Sequence, residues 1–294
     1  MRATPGQADE YGAERRTVSV DGARLHWRIL LADGGQVTRT PVTMIHGATT
    51  NSADFMISIA AQAAKDRPVY AVDRPGSGFS DRGDPYTAHD PREQARRIAA
   101  ALRVLGVERT VVLGHSYGGA VALAFALVAP ELTAGLVLLA PVSHPWPGGL
   151  AWYHEVAARP ILGAVLTHTV VPMYGRVGGP RAIDGAFTPD RAPDAYWRRA
   201  RMDLYFRPHA FRATAEDLVR LKAHISEMVP HYRRLRVPSE ILVGTHDLTV
   251  SPSLHAYNLA QDLSDARLAF LRGVGHAPHH AQPEAVLAAL ARLA

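Results

Sequence analysis

Short runs rich in apolar residues recur along the chain at 42–45, 69–72, 110–113, 136–139, 240–243 and 268–271. A strand with one wet face alternates apolar and polar side chains, whereas a run that is apolar throughout fits a strand covered on both faces, as in a parallel sheet. The stretches between them, at 53–65, 91–105, 117–128, 252–263 and 283–293, read as helices. Several carry Pro near the first turn, where the missing N–H is one that a helix leaves unbonded anyway. Strand and helix alternating in this way predict an α/β fold with a mostly parallel, doubly wound sheet. Ahead of it, β-prone runs at 17–20 and 23–31 flank Asp21-Gly22 and predict a hairpin, hence an antiparallel edge. The Gly34-Gly35 pair predicts a loop.

The alternation stops at 143–235, where the chain turns helical, aromatic and Arg-rich, with breaks at Pro160, Pro172, Pro189, Pro193, Pro208 and Pro230. This segment is expected as a helical cap inserted into a core formed by 17–142 and 236–294. Residues 1–16 are polar and lack the apolar centre of a secretory signal, so they are expected as a flexible tail. The longest apolar stretch, 120–129, is too short to span a bilayer. These features lead us to expect a soluble, cytoplasmic protein, monomeric or homodimeric.

Composition narrows the chemistry. The absence of cysteine excludes disulfides, thiolate metal sites and cysteine nucleophiles, leaving serine as the expected nucleophile type. The formal charge of +5 does not point to nucleic acid. Of 32 Lys plus Arg only Lys65 and Lys222 are lysines, and the excess is confined to 143–235, where 13 basic residues face 8 acidic ones. Charge spread over a helical segment is expected to be a solvated face.

Residues 110–113 run directly into Gly114-His115-Ser116-Tyr117-Gly118-Gly119 and an Ala-rich helix. Strand, sharp turn, helix is the context that a G-x-S-x-G nucleophile turn requires. Glycines flank the serine because the turn leaves no room for side chains, and the following helix points its N-terminus at the reacting centre. A serine hydroxyl also needs a base, oriented by a carboxylate. Asp247 stands just beyond the strand at 240–243, and His276 just beyond the one at 268–271. Strand C-termini share one rim of such a sheet, so Ser116, Asp247 and His276 can converge there.

With these segments in the order Ser, Asp, His, the chain resembles the α/β-hydrolase superfamily from about residue 17 to the C-terminus. His46-Gly47-Ala48 is similar to that family's His-Gly oxyanion loop, and Asp73-Arg74-Pro75-Gly76-Ser77-Gly78-Phe79-Ser80 to its turn after the second parallel strand. The resemblance implies an oxyanion hole formed by the backbone N–H groups of Ala48 and Tyr117. It implies a cap where 143–235 stands and hydrolysis of a small ester-like substrate by a Ser-His-Asp triad, without cofactor or metal. Dehalogenases and epoxide hydrolases of similar sequence place Asp at the nucleophile position, so Ser116 argues against both.

Other readings are weaker on the residues themselves. His279 and His280 follow His276 in one loop and are its nearest rivals as base, while His46 and His115 are expected to hold loops by hydrogen bonds. A metal pair at His246 and His276 lacks a completing carboxylate cluster. Asp73 is expected to be scaffolding, and Asp262 and Asp265 to be solvated. The turn also lacks the Lys-Ser/Thr ending of a phosphate loop. Aromatic residues of the cap, Trp146, Trp152, Tyr153 and Trp197 among them, are expected to pack the cap, with some facing the cleft and favouring a hydrophobic substrate. The alternatives are a carbon–carbon bond hydrolase acting on anionic meta-cleavage products or a lactonase on the same triad, and, from another class, a non-catalytic ligand- or partner-binding member of the fold.

Overall fold

A computed structural model describes residues 3–32 and 39–293. Nine strands form one sheet: β1 (Ala3–Ala8), β2 (Glu14–Val20), β3 (Ala23–Leu30), β4 (Val42–Ile45), β5 (Val69–Val72), β6 (Thr110–His115), β7 (Thr133–Leu139), β8 (Ser239–Gly244) and β9 (Ala266–Leu271). Their order is β1-β2-β3-β5-β4-β6-β7-β8-β9. The strands from β5 to β9 are parallel, and β1 to β3 form the antiparallel edge. The helices are α1 (Ala53–Met56), α2 (Ala60–Ala63), α3 (Pro91–Val104), α4 (Tyr117–Val128), α5 (Trp152–Ala157), α6 (Pro160–Val177), α7 (Gly179–Phe187), α8 (Tyr196–Arg199), α9 (Pro208–Met228), α10 (Ala256–Asp262), α11 (Pro278–Ala281) and α12 (Pro283–Arg292).

The run-and-helix pattern is the fold's organising feature. Val42, Met44, Val111, Val112, Leu113 and Leu136 are fully buried, as strands covered on both faces must be. One core cluster joins the sheet to α3, α4 and α10, and another joins it to α1, α2 and α12. The strand following β4 in the chain lies on one side of it and β6 lies on the other, so the strand order switches direction at β4. Crevices at the C-terminal ends of strands at such a switch are where ligands bind.

Three local expectations differ from the structure. The expected tail is in part an edge strand: β1 pairs antiparallel with β2, joined by a turn in which an Asp9 carboxylate oxygen accepts the N–H groups of Tyr11 at 3.0 Å and Ala13 at 3.1 Å. An edge strand needs only backbone donors and acceptors, so an apolar pattern is not required there. The helix expected at 53–65 is two short helices. Between them the Ser58 hydroxyl donates to the Asp54 carbonyl at 2.9 Å, a side-chain bond of the kind that competes with helix propagation. The helix expected from 252 begins at Ala256, and the Gly34-Gly35 loop lies outside the described residues. Between β7 and β8 the chain forms helices only, α5 to α9 and short tighter turns, with small apolar clusters of their own. Among the described residues, no helix is long and apolar enough to cross a membrane.

Candidate active site

Ser116 lies between the last residue of β6 and the first of α4 with φ 54° and ψ −117°, a backbone conformation that side chains disfavour. The flanking glycines are a steric necessity. A Cβ on Gly114 would lie 2.3 Å from the Gly118 carbonyl oxygen, and one on Gly118 would lie 2.0 Å from that of Ile45. The turn therefore packs its backbone against β4, pushes the serine out over the strand ends and directs the N-terminus of α4 toward it.

His276 and Asp247 meet Ser116 there. The Ser116 hydroxyl lies 3.0 Å from His276 Nε2, and His276 Nδ1 lies 2.7 Å from an Asp247 carboxylate oxygen. The other Asp247 oxygen accepts the N–H groups of Thr249 at 2.8 Å and Val250 at 2.9 Å, which fixes the carboxylate. With Asp247 accepting at Nδ1, that nitrogen carries the ring proton, and Nε2 presents a lone pair to the serine. The rival histidines point elsewhere: Nε2 of His279 and of His280 donates to Asp54, at 2.9 and 2.8 Å.

The loop carrying Ala48 is held by groups around it. His46 Nδ1 donates to the Gly47 carbonyl at 2.7 Å, and its Nε2 accepts the Arg74 N–H at 3.0 Å, so the ring is neutral. Burial, reinforced by the Arg74 charge, lowers its pKa to about 3. The Arg74 guanidinium donates to the carbonyls of His46 at 3.2 Å, Gly47 at 3.2 Å and Ala48 at 3.3 Å. Among the described residues, the Ala48 and Tyr117 amides donate no hydrogen bond, and both residues line the cavity that contains Ser116. Asp73 is scaffolding, accepting from His26 at 3.0 Å, the Ser52 N–H at 2.8 Å and the Phe79 N–H at 3.0 Å. Burial alone would raise its pKa, but these bonds and the Arg28 charge outweigh it and hold the carboxyl well below the usual range.

A second buried network stands behind His276. His115 Nε2 donates to the His276 carbonyl at 2.8 Å, and its ring lies 4.6 Å from that of His279. Ligand atoms of Asp54, His115 and His279 come within 4.8 Å of one another, the one such group among the described residues. The Asp54 oxygens are already taken up by His279, His280 and the Tyr196 hydroxyl, the last at 2.6 Å. Sequence reading found His276 by its place after a strand but had no signal for Asp54, whose partners lie more than a hundred residues away.

The cavity has a volume of about 830 Å³. Its walls come from the strand-end loops and from the helical segment, which contributes Trp146, Leu150, His154, Leu218 and Leu221. Among the described residues, no lysine or arginine lines it, and its one carboxylate is Asp247. Among the described residues, the basic side chains of 143–235 are thus not part of its lining.

Similarity to known proteins agrees with the fold. A 250-residue stretch is 27% identical to an uncharacterized protein of Mycobacterium tuberculosis, covering 82% of this chain and 71% of that one. The crystal structure of Cfl2 from Burkholderia cenocepacia superposes with a TM-score of 0.78 at 20% identity, over 98% of each chain. A thermophilic esterase from Thermogutta terrifontis superposes with a TM-score of 0.68 at 21% identity, over 99% of this chain and 97% of that one. The model of the alpha/beta hydrolase family matches residues 44–289, which include the Ser116 turn, Asp247 and His276, and the chain belongs to that family.

Proposed function

We propose that this protein is a serine hydrolase of small, neutral carboxylic esters, with Ser116 as nucleophile, His276 as general base and acid, and Asp247 orienting His276. In this reading 17–142 and 236–294 are the catalytic core, and 143–235 is a cap closing the cavity. The observation that carries it is the hydrogen-bonded line from Ser116 through His276 to Asp247, opening into a largely apolar cavity that, among the described residues, no lysine or arginine lines. The same cavity disfavours anionic diketone substrates, which would need a lysine or arginine that the described lining does not offer.

In the first half-reaction His276 Nε2 takes the Ser116 proton as the serine oxygen attacks the ester carbonyl. The N–H groups of Ala48 and Tyr117 receive the oxyanion, each worth about 3–4 kcal/mol in the transition state. The tetrahedral adduct collapses, the C–O bond breaks, and His276 gives its proton to the departing alkoxide, leaving an acyl-serine. Water then attacks the acyl carbon as His276 takes its proton. Collapse releases the carboxylic acid and returns the proton to Ser116. Asp247 keeps His276 in the productive tautomer and stabilises the imidazolium.

A fluorophosphonate probe is expected to label Ser116, and Ser116→Ala to abolish hydrolysis of short nitrophenyl esters. A probe that leaves Ser116 unmodified, or a mutant of unchanged rate, would refute the mechanism. Intact activity in Asp247→Asn would remove Asp247 from it.

A further inference from the structure

The cavity at Ser116 is lined by polar side chains that acyl transfer does not use, the hydroxyls of Thr49, Thr50, Thr249 and Ser251 and the imidazoles of His115, His154 and His255. His255, just ahead of α10, is 4% exposed and lines that cavity, its ring centroid 6.2 Å from that of Trp146. Its Nδ1 lies 3.2 Å from the backbone nitrogens of both Ser143 and His144. Two N–H donors converging on one imidazole nitrogen require a lone pair there, so the ring proton sits on Nε2. The backbone of His255 is fixed as well. Its N–H donates to the Ser251 carbonyl at 3.0 Å, and its carbonyl accepts the Ser143 hydroxyl at 2.9 Å. Burial, assisted by His144 and opposed by Asp247, holds the ring pKa down at about 4, so the imidazole is neutral near pH 7.

Among the described residues, His255 Nε2 makes no hydrogen bond, yet it is not sealed off as the partnerless Nδ1 of His154 is. It is a neutral donor of fixed direction on a ring that lines the chamber, whose other walls mix apolar side chains such as Trp146, Leu218 and Leu221 with hydroxyls. A ligand that fills the chamber with methylenes would strip water from this N–H and leave it unpaired, whereas a ligand bearing an acceptor there would pair it. A neutral donor, unlike an imidazolium, gives no special preference for carboxylates.

We propose that His255 Nε2–H binds a hydrogen-bond-accepting oxygen of the substrate. The preferred substrates are then neutral esters with a second oxygen function, an ether or a ketone, set apart from the scissile carbonyl. This rests on the ester-hydrolase reading above and specifies its substrate class. His255 is a binding residue, placed by the loop between 142 and 144 and by the turn that precedes α10.

The test uses matched esters in which an ether oxygen or ketone replaces one methylene at successive positions of the acyl or the alcohol chain, each compared with its all-carbon partner. At one position the wild-type enzyme is expected to prefer the oxygen-bearing ester by about three- to tenfold in kcat/KM. In His255→Asn the side-chain oxygen can replace Nδ1 toward Ser143 and His144 while nothing replaces Nε2–H, so the ratio is expected to fall to about one. His255→Gln, which can restore a donor near Nε2, is expected to recover part of it. Ratios measured within one variant cancel any general loss of activity. A readout independent of how these variants fold is the histidine nitrogen spectrum of Ser116→Ala: the preferred ester shifts the His255 Nε2 signal and its all-carbon match does not. All-carbon esters turned over with no oxygen preferred at any position, or a preference intact in His255→Asn, overturn the proposal. Failure to hydrolyse any ester overturns the underlying reading instead.

Discussion

The Arg74 guanidinium lies 2.9 Å from the Asp217 carboxylate, and both side chains are buried. Arg74 also donates to three consecutive carbonyls of the loop leading to Ala48, while Asp217 sits on α9. One ion pair thus fastens the loop bearing the proposed oxyanion donor to the helical segment that walls the cavity. Arg82, 2.6 Å from the other Asp217 oxygen, and Gln94, 3.2 Å from the one facing Arg74, complete the set.

Asp217→Asn preserves shape and removes the one charge that two buried or half-buried arginines share. Breaking a buried pair from one side leaves an uncompensated charge and costs about 3–5 kcal/mol. Urea unfolding of Asp217→Asn is expected to show a loss of that order, and ester assays a fall in kcat larger than any rise in KM, because the displaced element is the oxyanion loop. A loss below about 1 kcal/mol would mean that the pair behaves like a screened surface contact.

Ser116 holds a φ of 54° that only packing around the turn enforces. Strain of this kind costs about 1–3 kcal/mol, and glycine relieves it while adding about 0.4–1 kcal/mol of unfolded-state entropy. Ser116→Gly and Ser116→Ala both remove the nucleophile, but only the first removes the strain. The glycine variant is expected to be the more stable of the two by about 1 kcal/mol, read from their unfolding midpoints. Equal midpoints would mean that the turn is unstrained.

Asp54 accepts from His279, His280 and Tyr196, tying α1 to α11, which follows His276, and to α8. Its burial would raise the carboxyl pKa, but the two histidines outweigh it and hold it well below the usual range. A hydrogen bond to a charged group is worth about 1.5–3 kcal/mol. Tyr196→Phe is expected to lose that amount with little change in KM, and Asp54→Asn to lose more and to lower kcat by loosening the His276 loop. Retention of wild-type stability in both variants would remove Asp54 as the junction of these elements.

What could be read in the chain beforehand was what local pattern controls. The central strands announce themselves as unbroken apolar runs because the sheet is covered on both faces, and the Ser116 turn because its glycines are sterically required. Asp247 and His276 follow from their positions just past strands. What the sequence hid is tertiary: Arg74 meets Asp217 across 143 positions, and His255 meets the amides of Ser143 and His144 across more than a hundred. No periodicity links such partners. β1 was hidden for another reason, since an edge strand made by backbone pairing leaves no apolar signature.

The buried neutral histidines make stability sensitive to acid in a window that can be assigned. His154 and His255 have pKa values lowered to about 4, both chiefly by burial, and His46 to about 3. In the unfolded chain each titrates near 6.5, so between about pH 6.5 and pH 4 the unfolded state binds protons that the folded state refuses. Stability is therefore expected to hold above pH 6.5, to fall as pH drops through that window, and to continue falling toward pH 3 through His46. Asp54 and Asp73, with folded pKa values depressed below 3.8, add a further loss only as the unfolded carboxylates protonate. His154 separates these contributions, because burial is the one cause of its shift and its ring stacks against Phe211 at 6.0 Å without a hydrogen bond at the buried Nδ1. His154→Phe keeps an aromatic ring there and removes the titrating site. Its unfolding midpoint should match or exceed that of the wild type at pH 7.5, and its advantage should grow by up to about 3 kcal/mol on going to pH 4. Parallel midpoint curves for the two proteins from pH 7.5 to pH 4 would show that His154 takes up its proton in the folded state as readily as in the unfolded one.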